Sequence, residues 1–200
     1  MNESLATKDG VQPVERLEQA ARRATESASE AILGWTDGRV RLELEKLVEV
    51  ELGDSSDLMT SDERMLTAVV FGIEGAVGGQ LLLAFDEENG RKLALQLIGK
   101  PVEAAEAWSS LEKSAIMETG NILASAYLNE MTRIAGERLT PTAPTFIQDY
   151  AGSVVGQALV NQMLLSEQVL VCCTVFEFDS KQMDWSVYFL PESKLISLLN

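Results

Sequence analysis

Leu111 to Ala135 carries the longest helical pattern in the chain, and its two faces separate cleanly. At about 100° per residue, Ile116, Gly120, Leu123, Tyr127, Met131 and Ile134 form one stripe, while Ser114, Glu118, Asn121, Ser125, Asn129 and Thr132 line the opposite side. A helix of that length with one apolar stripe has to lie on a layer that covers the stripe, and Gly136 closes it. Arg39 to Leu52 supplies such a layer: Val40, Leu42, Leu44, Val48, Val50 and Leu52 share one face of an alternating segment, Arg39, Arg41, Glu43, Glu45, Glu49 and Glu51 the other. That is the pattern of a long half-buried strand.

The other elements fit the same plan. Val14 to Leu33 reads as an amphipathic helix stopped at Thr36-Asp37-Gly38, after a polar tail over residues 1–13. Gly53 to Asp62 is a loop, and Met65 to Ile73 with Gln80 to Phe85 form a hairpin through Gly75 to Gly79. Those glycines lack the Lys-Ser/Thr ending of a phosphate loop and are turn punctuation. Asn89 to Ile98 is a short helix ending at Gly99. Beyond Pro144 a helix is expected over Tyr150 to Leu164, strands over Val169 to Phe178 and Trp185 to Leu190 around Asp179 to Asp184, and a terminal helix over Glu192 to Leu199. The fold class is α+β, with a mainly antiparallel sheet and two long helices on one side. Residues 14–200 read as one domain of two pseudo-symmetric halves, about 14–100 and 105–200, each opening with a long helix and continuing into strands and a shorter helix. Matching Gly38 to Gly136 sets Arg16, Ala20, Arg23 and Lys46 against Ser114, Glu118, Asn121 and Pro144.

Composition narrows the chemistry. A formal charge of -15 over 200 residues makes nucleic-acid binding untenable and favours a protein partner with a basic patch. There is no histidine, which removes Ser-His-Asp and Cys-His catalysis and His-ligated zinc. The two cysteines, Cys172 and Cys173, are adjacent in a strand pattern and point to opposite faces, so they read as buried thiols rather than a disulfide framework. No apolar stretch is long enough for a bilayer, and the N-terminus lacks a secretory pattern, so a cytoplasmic location without membrane insertion is expected. Trp35, Trp108 and Trp185 are assigned to the core or its margin, and the Glu43 to Glu51 carboxylate row to strand alternation rather than a metal.

On the polar face of the long helix, Glu118 and Asn121 stand three positions apart and project together. An amide both donates and accepts hydrogen bonds, so Asn121 can hold a water in line with a phosphorus atom without being altered itself. Glu118 offers a carboxylate to a partner lysine. The bland alternative is a solvated helix face. Against it stands the wider spacing, Ser114-x3-Glu118-x2-Asn121-x22-Pro144. That pattern resembles the active-site signature of the CheC/CheX/FliY family, phosphatases of the chemotaxis response regulator CheY. Glu118-Thr119-Gly120-Asn121-Ile122 is similar to the family's Glu-x-Gly-Asn-Ile helix, and Asp149-Tyr150-Ala151-Gly152 to its Asp-Met-Ala-Gly segment. The resemblance implies a CheC-like fold and an enzyme that hydrolyses the CheY phosphoaspartate, with Asn121 positioning the water, Glu118 docking to the regulator's lysine, and Ser114 and Pro144 shaping the site. It implies no cofactor of the chain's own, Mg2+ being held by CheY. CheD and the flagellar switch are further partners it suggests, and a weakly catalytic or non-catalytic interaction module binding them is the alternative. One recognisable copy of the motif is present where many CheC proteins have two.

Overall fold

The computed structural model describes residues 13–51, 65–75, 77–101, 107–150, 152–154, 156, 168–178, 181–192 and 194. The chain opens with α1 (Pro13–Trp35), β1 (Val40–Glu51), β2 (Met65–Gly75), β3 (Gly79–Asp86) and α2 (Glu87–Leu97). It continues with α3 (Ser110–Ala135), β4 (Leu139–Pro141), β5 (Thr145–Tyr150), β6 (Gln168–Phe178) and β7 (Lys181–Pro191). The strands form a sheet in the order β1-β6-β7-β3-β2-β4, with β5 also on β2, and every pairing is antiparallel. The α+β class and the antiparallel sheet are as the sequence led us to expect.

The core lies between the sheet and the two long helices. Period-two side chains Val69, Phe71 and Ile73 of β2, Leu81, Leu83 and Phe85 of β3, Phe176 of β6, and Val187 and Phe189 of β7 meet the apolar stripes of α1 and α3. Fully burying one such phenylalanine contributes roughly 1.5–3 kcal/mol. The stripe of α1 is made of small residues, Ala20, Ala21, Ala24, Thr25 and Ala28, all buried, which lets α1 pack closely on α3. Where the two helices meet the sheet, hydroxyls gather: Thr25 Oγ1 lies 3.4 Å from the Tyr127 hydroxyl and 3.5 Å from Thr174 Oγ1.

The repeat is written into the strand register. Leu139, Pro141, Thr145 and Tyr150 pair with Gly75, Ile73, Val70 and Met65. Val40, Leu42, Lys46 and Glu51 pair with Phe178, Phe176, Cys173 and Gln168 at the same relative positions. The split edge β4–β5 is therefore the counterpart of β1, and residues 142–144 the counterpart of the irregularity between Leu44 and Lys46 in β1. At the centre, Leu81↔Phe189 and Leu83↔Val187 flank Leu82↔Tyr188, a pair that exchange of the halves turns onto itself.

This register corrects the sequence alignment of the halves by one residue. Buried positions coincide when Ala21 is matched to Gly120, which also sets Ala24 on Leu123, Ala28 on Tyr127 and Ile32 on Met131. Asp37, φ 52°, then stands opposite Gly136, φ 67°, and Gly38 after it is left-handed as well, φ 81°. Gly38 had seemed the counterpart because glycine is the commoner residue at that conformation. The counterparts of Ser114, Glu118, Asn121 and Pro144 become Glu15, Gln19, Arg22 and Glu45 in place of Arg16, Ala20, Arg23 and Lys46.

Other departures are local. The stretch before Tyr150 holds β4 and β5, too short and too polar to show alternation, and Tyr150 ends a strand instead of starting a helix. Residues 152–154 and 156 are helical, and the rest of the expected Tyr150 to Leu164 helix lies outside the described residues, as does most of the terminal helix. The last hairpin turns more tightly than expected, with β7 already paired at Lys181. Trp108 is buried as expected, Trp35 is 43% exposed, and the side chains of Trp185, Cys172 and Cys173 lie outside the description.

Candidate active site on helix α3

Helix α3 is fixed at both ends before any packing is counted. Ser109 is its N-cap and forms a capping box with Glu112, each satisfying the other's backbone N–H, and Gly136 closes the last turn in the left-handed region. Between these caps Ile116, Gly120, Leu123, Tyr127 and Met131 are buried, while Ser114 and Glu118 are exposed and Asn121 is half-buried. Ser114, Glu118 and Asn121 thus stand on one outward stripe two turns long, about 10 Å from first to last. Among the described residues no hydrogen bond or ion pair engages the Glu118 or Asn121 side chain.

Pro144 stands on the sheet side, just before β5. A Cβ on Gly120 would lie 3.3 Å from Val69 Cγ1 and 3.1 Å from the Phe71 ring, so the middle of α3 rests directly on β2. Val70, between those two residues, pairs with Thr145, which places Pro144 at the edge of the sheet beside the middle of α3. Proline suits an interrupted edge because it has no N–H to leave unpaired. Thr142 stitches the interruption shut: its N–H donates to the Gly72 carbonyl at 2.9 Å, and its hydroxyl accepts from the Gly72 N–H at 2.9 Å. The four residues of the motif are thereby set on two neighbouring elements.

A buried polar brace, missed in the sequence, lies just before the motif. Glu112 and Arg91 of α2 are almost fully buried and stand 3.9 Å apart, and Arg91 also pairs with Glu87 at 2.9 Å. The Ser109 N–H donates to Glu112 at 2.7 Å and the Ser109 hydroxyl donates to the same oxygen. Burial by itself would raise the Glu112 pKa, but the two Ser109 bonds, with Arg91 and Lys100, outweigh it and hold the carboxyl below its ordinary value. The Arg91 guanidinium lies 5.4 Å from the Trp108 ring centre, Trp108 meets Phe146 of β5 edge-on at 5.3 Å, and Lys113 lies 5.1 Å from that same ring. Ser109-x-x-Glu112 is legible as a capping box, whereas contacts between α2, α3 and β5 leave no local signal.

The first-half counterpart has the shape without the chemistry. Glu15, Gln19 and Arg22 are all exposed on α1, and Arg22 pairs with Glu18 at 2.9 Å. An arginine has no acceptor with which to orient a water. A pocket of about 210 Å³ lined by Trp35, Thr36, Asp37, Arg39, Leu93, Gln96, Leu97 and Phe178 includes no residue of the motif. No helix among the described residues is long and apolar enough to cross a membrane.

No protein-family model matches the chain. It is 20% identical over 144 residues to the putative CheY-P phosphatase CheC1 of Halobacterium salinarum, covering 72% of this chain and 73% of that protein. It is 24% identical over 131 residues to the CheY-P phosphatase CheC of Bacillus subtilis, covering 64% and 63%. The fold matches Thermotoga maritima FliY with a TM-score of 0.71 at 12% identity, over 96% of each chain. It matches a chain of the H. pylori FliG–FliM complex at 0.66 and 10% identity, over 94% and 100%. It matches the CheX–CheY–BeF3–Mg2+ complex of Borrelia burgdorferi at 0.56 and 15% identity, over 90% and 99%. In sequence the chain is similar to the CheC proteins, and in fold to FliY and CheX.

Proposed function

We propose that the chain is a phosphatase acting on the phosphoaspartate of a CheY-type response regulator. The observation that carries this reading is that Glu118 and Asn121 share the outward stripe of α3, whose middle rests on β2, the strand that pairs with the residue after Pro144. Asn121 holds a water against the phosphorus; attack forms a new P–O bond, the bond to the aspartate carboxylate breaks, and inorganic phosphate leaves. Positioning and electrostatics supply most of the catalysis in phosphoryl transfer, so one amide suffices for the chain's share. Glu118 pairs with a lysine of the regulator and fixes the mutual orientation, while Ser114 and Pro144 shape the walls. The chain brings no cofactor; Mg2+ is carried by the regulator, in the cytoplasm. Support comes from the two CheC relatives named as CheY-P phosphatases and from the CheX neighbour solved with CheY, BeF3 and Mg2+.

A second reading, an interaction module that docks CheD or a flagellar-switch component, is favoured by the match to a chain of the FliG–FliM complex and by the motif-free face of α1. Phosphate release from a phosphorylated CheY-type receiver separates the two. Acceleration that disappears in Asn121→Ala and Glu118→Ala, both folded, supports the phosphatase; no acceleration with binding to a switch protein or CheD retained supports the module.

A further inference from the structure

We infer that the Arg91–Glu112–Trp108–Phe146 brace is a positioning device for the α3 site, holding the start of the motif helix at a set distance from the edge strand that carries Pro144. The inference rests on the phosphatase reading above. A buried ion pair is poor evidence for stability, since a hydrophobic pair of similar volume commonly does as well. What such a pair does supply is geometry. Here it ties three elements: Arg91 stands on α2, Trp108 and Glu112 at the head of α3, and Phe146 on β5 two residues past Pro144. Glu112 lies two residues before Ser114 and six before Glu118, so a shift of the helix head is felt directly at the motif.

Comparison of the halves points the same way. Exchange of the halves sets Pro13, Val14 and Leu47 at the positions of Glu112, Lys113 and Phe146. None of the three carries a charge or an aromatic ring. The half with the motif has the brace, and the first-half sequence does not repeat its Glu112, Lys113 or Phe146, although the edge strands of the two halves share their register.

The test uses the whole chain with a phosphorylated CheY-type receiver as substrate. The double variant Arg91→Met/Glu112→Gln removes both charges together, keeps an apolar stem over Trp108, and keeps a side chain able to complete the capping box. Expected are a thermal midpoint within a few degrees of wild type, an unchanged KM and a kcat lower by about tenfold, short of the roughly hundredfold that a 1 Å misplacement can cost. Phe146→Leu is measured beside it and decides the matter should the double variant fail to fold, with the same split expected. An unchanged kcat in a folded variant, or a loss of kcat matched by a rise in KM, overturns the positioning role. No acceleration by wild type overturns the phosphatase reading and this inference with it.

Discussion

Gly120 of α3 stands over Phe71 of β2 so closely that a Cβ at position 120 would lie 3.1 Å from two atoms of the ring. Phe71 is fully buried and has no room to give. Gly120→Ala gains roughly 1 kcal/mol of helix propensity but forces a tight core to shift, which typically costs 1–3 kcal/mol. A net loss of about 1 kcal/mol is expected in chemical denaturation. Because the substituted methyl pushes α3 away from β2, phosphatase activity should fall by more than the stability loss explains.

Asn121→Ala removes the only group assigned to the attacking water, and the site is half-buried and free of described hydrogen bonds, so the fold should be unchanged. Loss of one positioning hydrogen bond of this kind typically costs a factor of about 100 to 1,000 in turnover. Glu118→Ala should act differently, chiefly as weaker capture of the receiver and a raised KM, with the defect growing at high salt. Titration of receiver concentration at two ionic strengths distinguishes the two variants.

Glu112 makes stability pH-dependent. Its folded pKa lies below the ordinary value of 4.5, so its contribution is fully present above that pH and is lost as pH falls through the lower folded value. Glu112→Gln alone replaces the charged acceptor of both Ser109 bonds with a neutral amide and leaves Arg91 to Glu87, and should cost about 2 kcal/mol at neutral pH. The gap between variant and wild type should close in acid, as followed by urea midpoints from pH 7 down to about pH 3.

Asp37 stands at the end of α1 at φ 52°, where its counterpart in α3 is Gly136. Left-handed backbone costs an L-residue about 1 kcal/mol that glycine does not incur, although aspartate tolerates it better than most. Asp37→Gly should therefore be neutral to mildly stabilising, by up to about 1 kcal/mol, whereas Gly136→Ala should destabilise by about 1 kcal/mol. Thermal unfolding of the two variants in parallel tests the equivalence of the helix ends.

What the sequence disclosed depended on whether the signal was local. The stripes of α1 and α3, the β2–β3 hairpin and the closure at Gly136 are periodic or punctuated within a few residues, and each was legible. The four motif residues were legible by spacing, with Glu118 and Asn121 on one face as helical phase requires. β4 and β5 were missed because Thr142-Ala143-Pro144 separates two short pieces, and their pairing with β2 is a long-range fact. The brace was missed for the same reason: Arg91, Trp108 and Phe146 meet only after α2, α3 and β5 have assembled. The half-to-half register erred by one because α1 ends in two left-handed residues, Asp37 and Gly38, and the glycine drew the alignment.

The pairing of β1 with β6, and of β4–β5 with β2, means that each half lends its outermost strand to the other. Neither half can finish its own sheet: severed near residue 100, the front piece would carry a strand with nothing to pair and a β2 edge with nothing beside it. Such pieces are halves of a clasp, competent to close on one another or on a second molecule of the same chain.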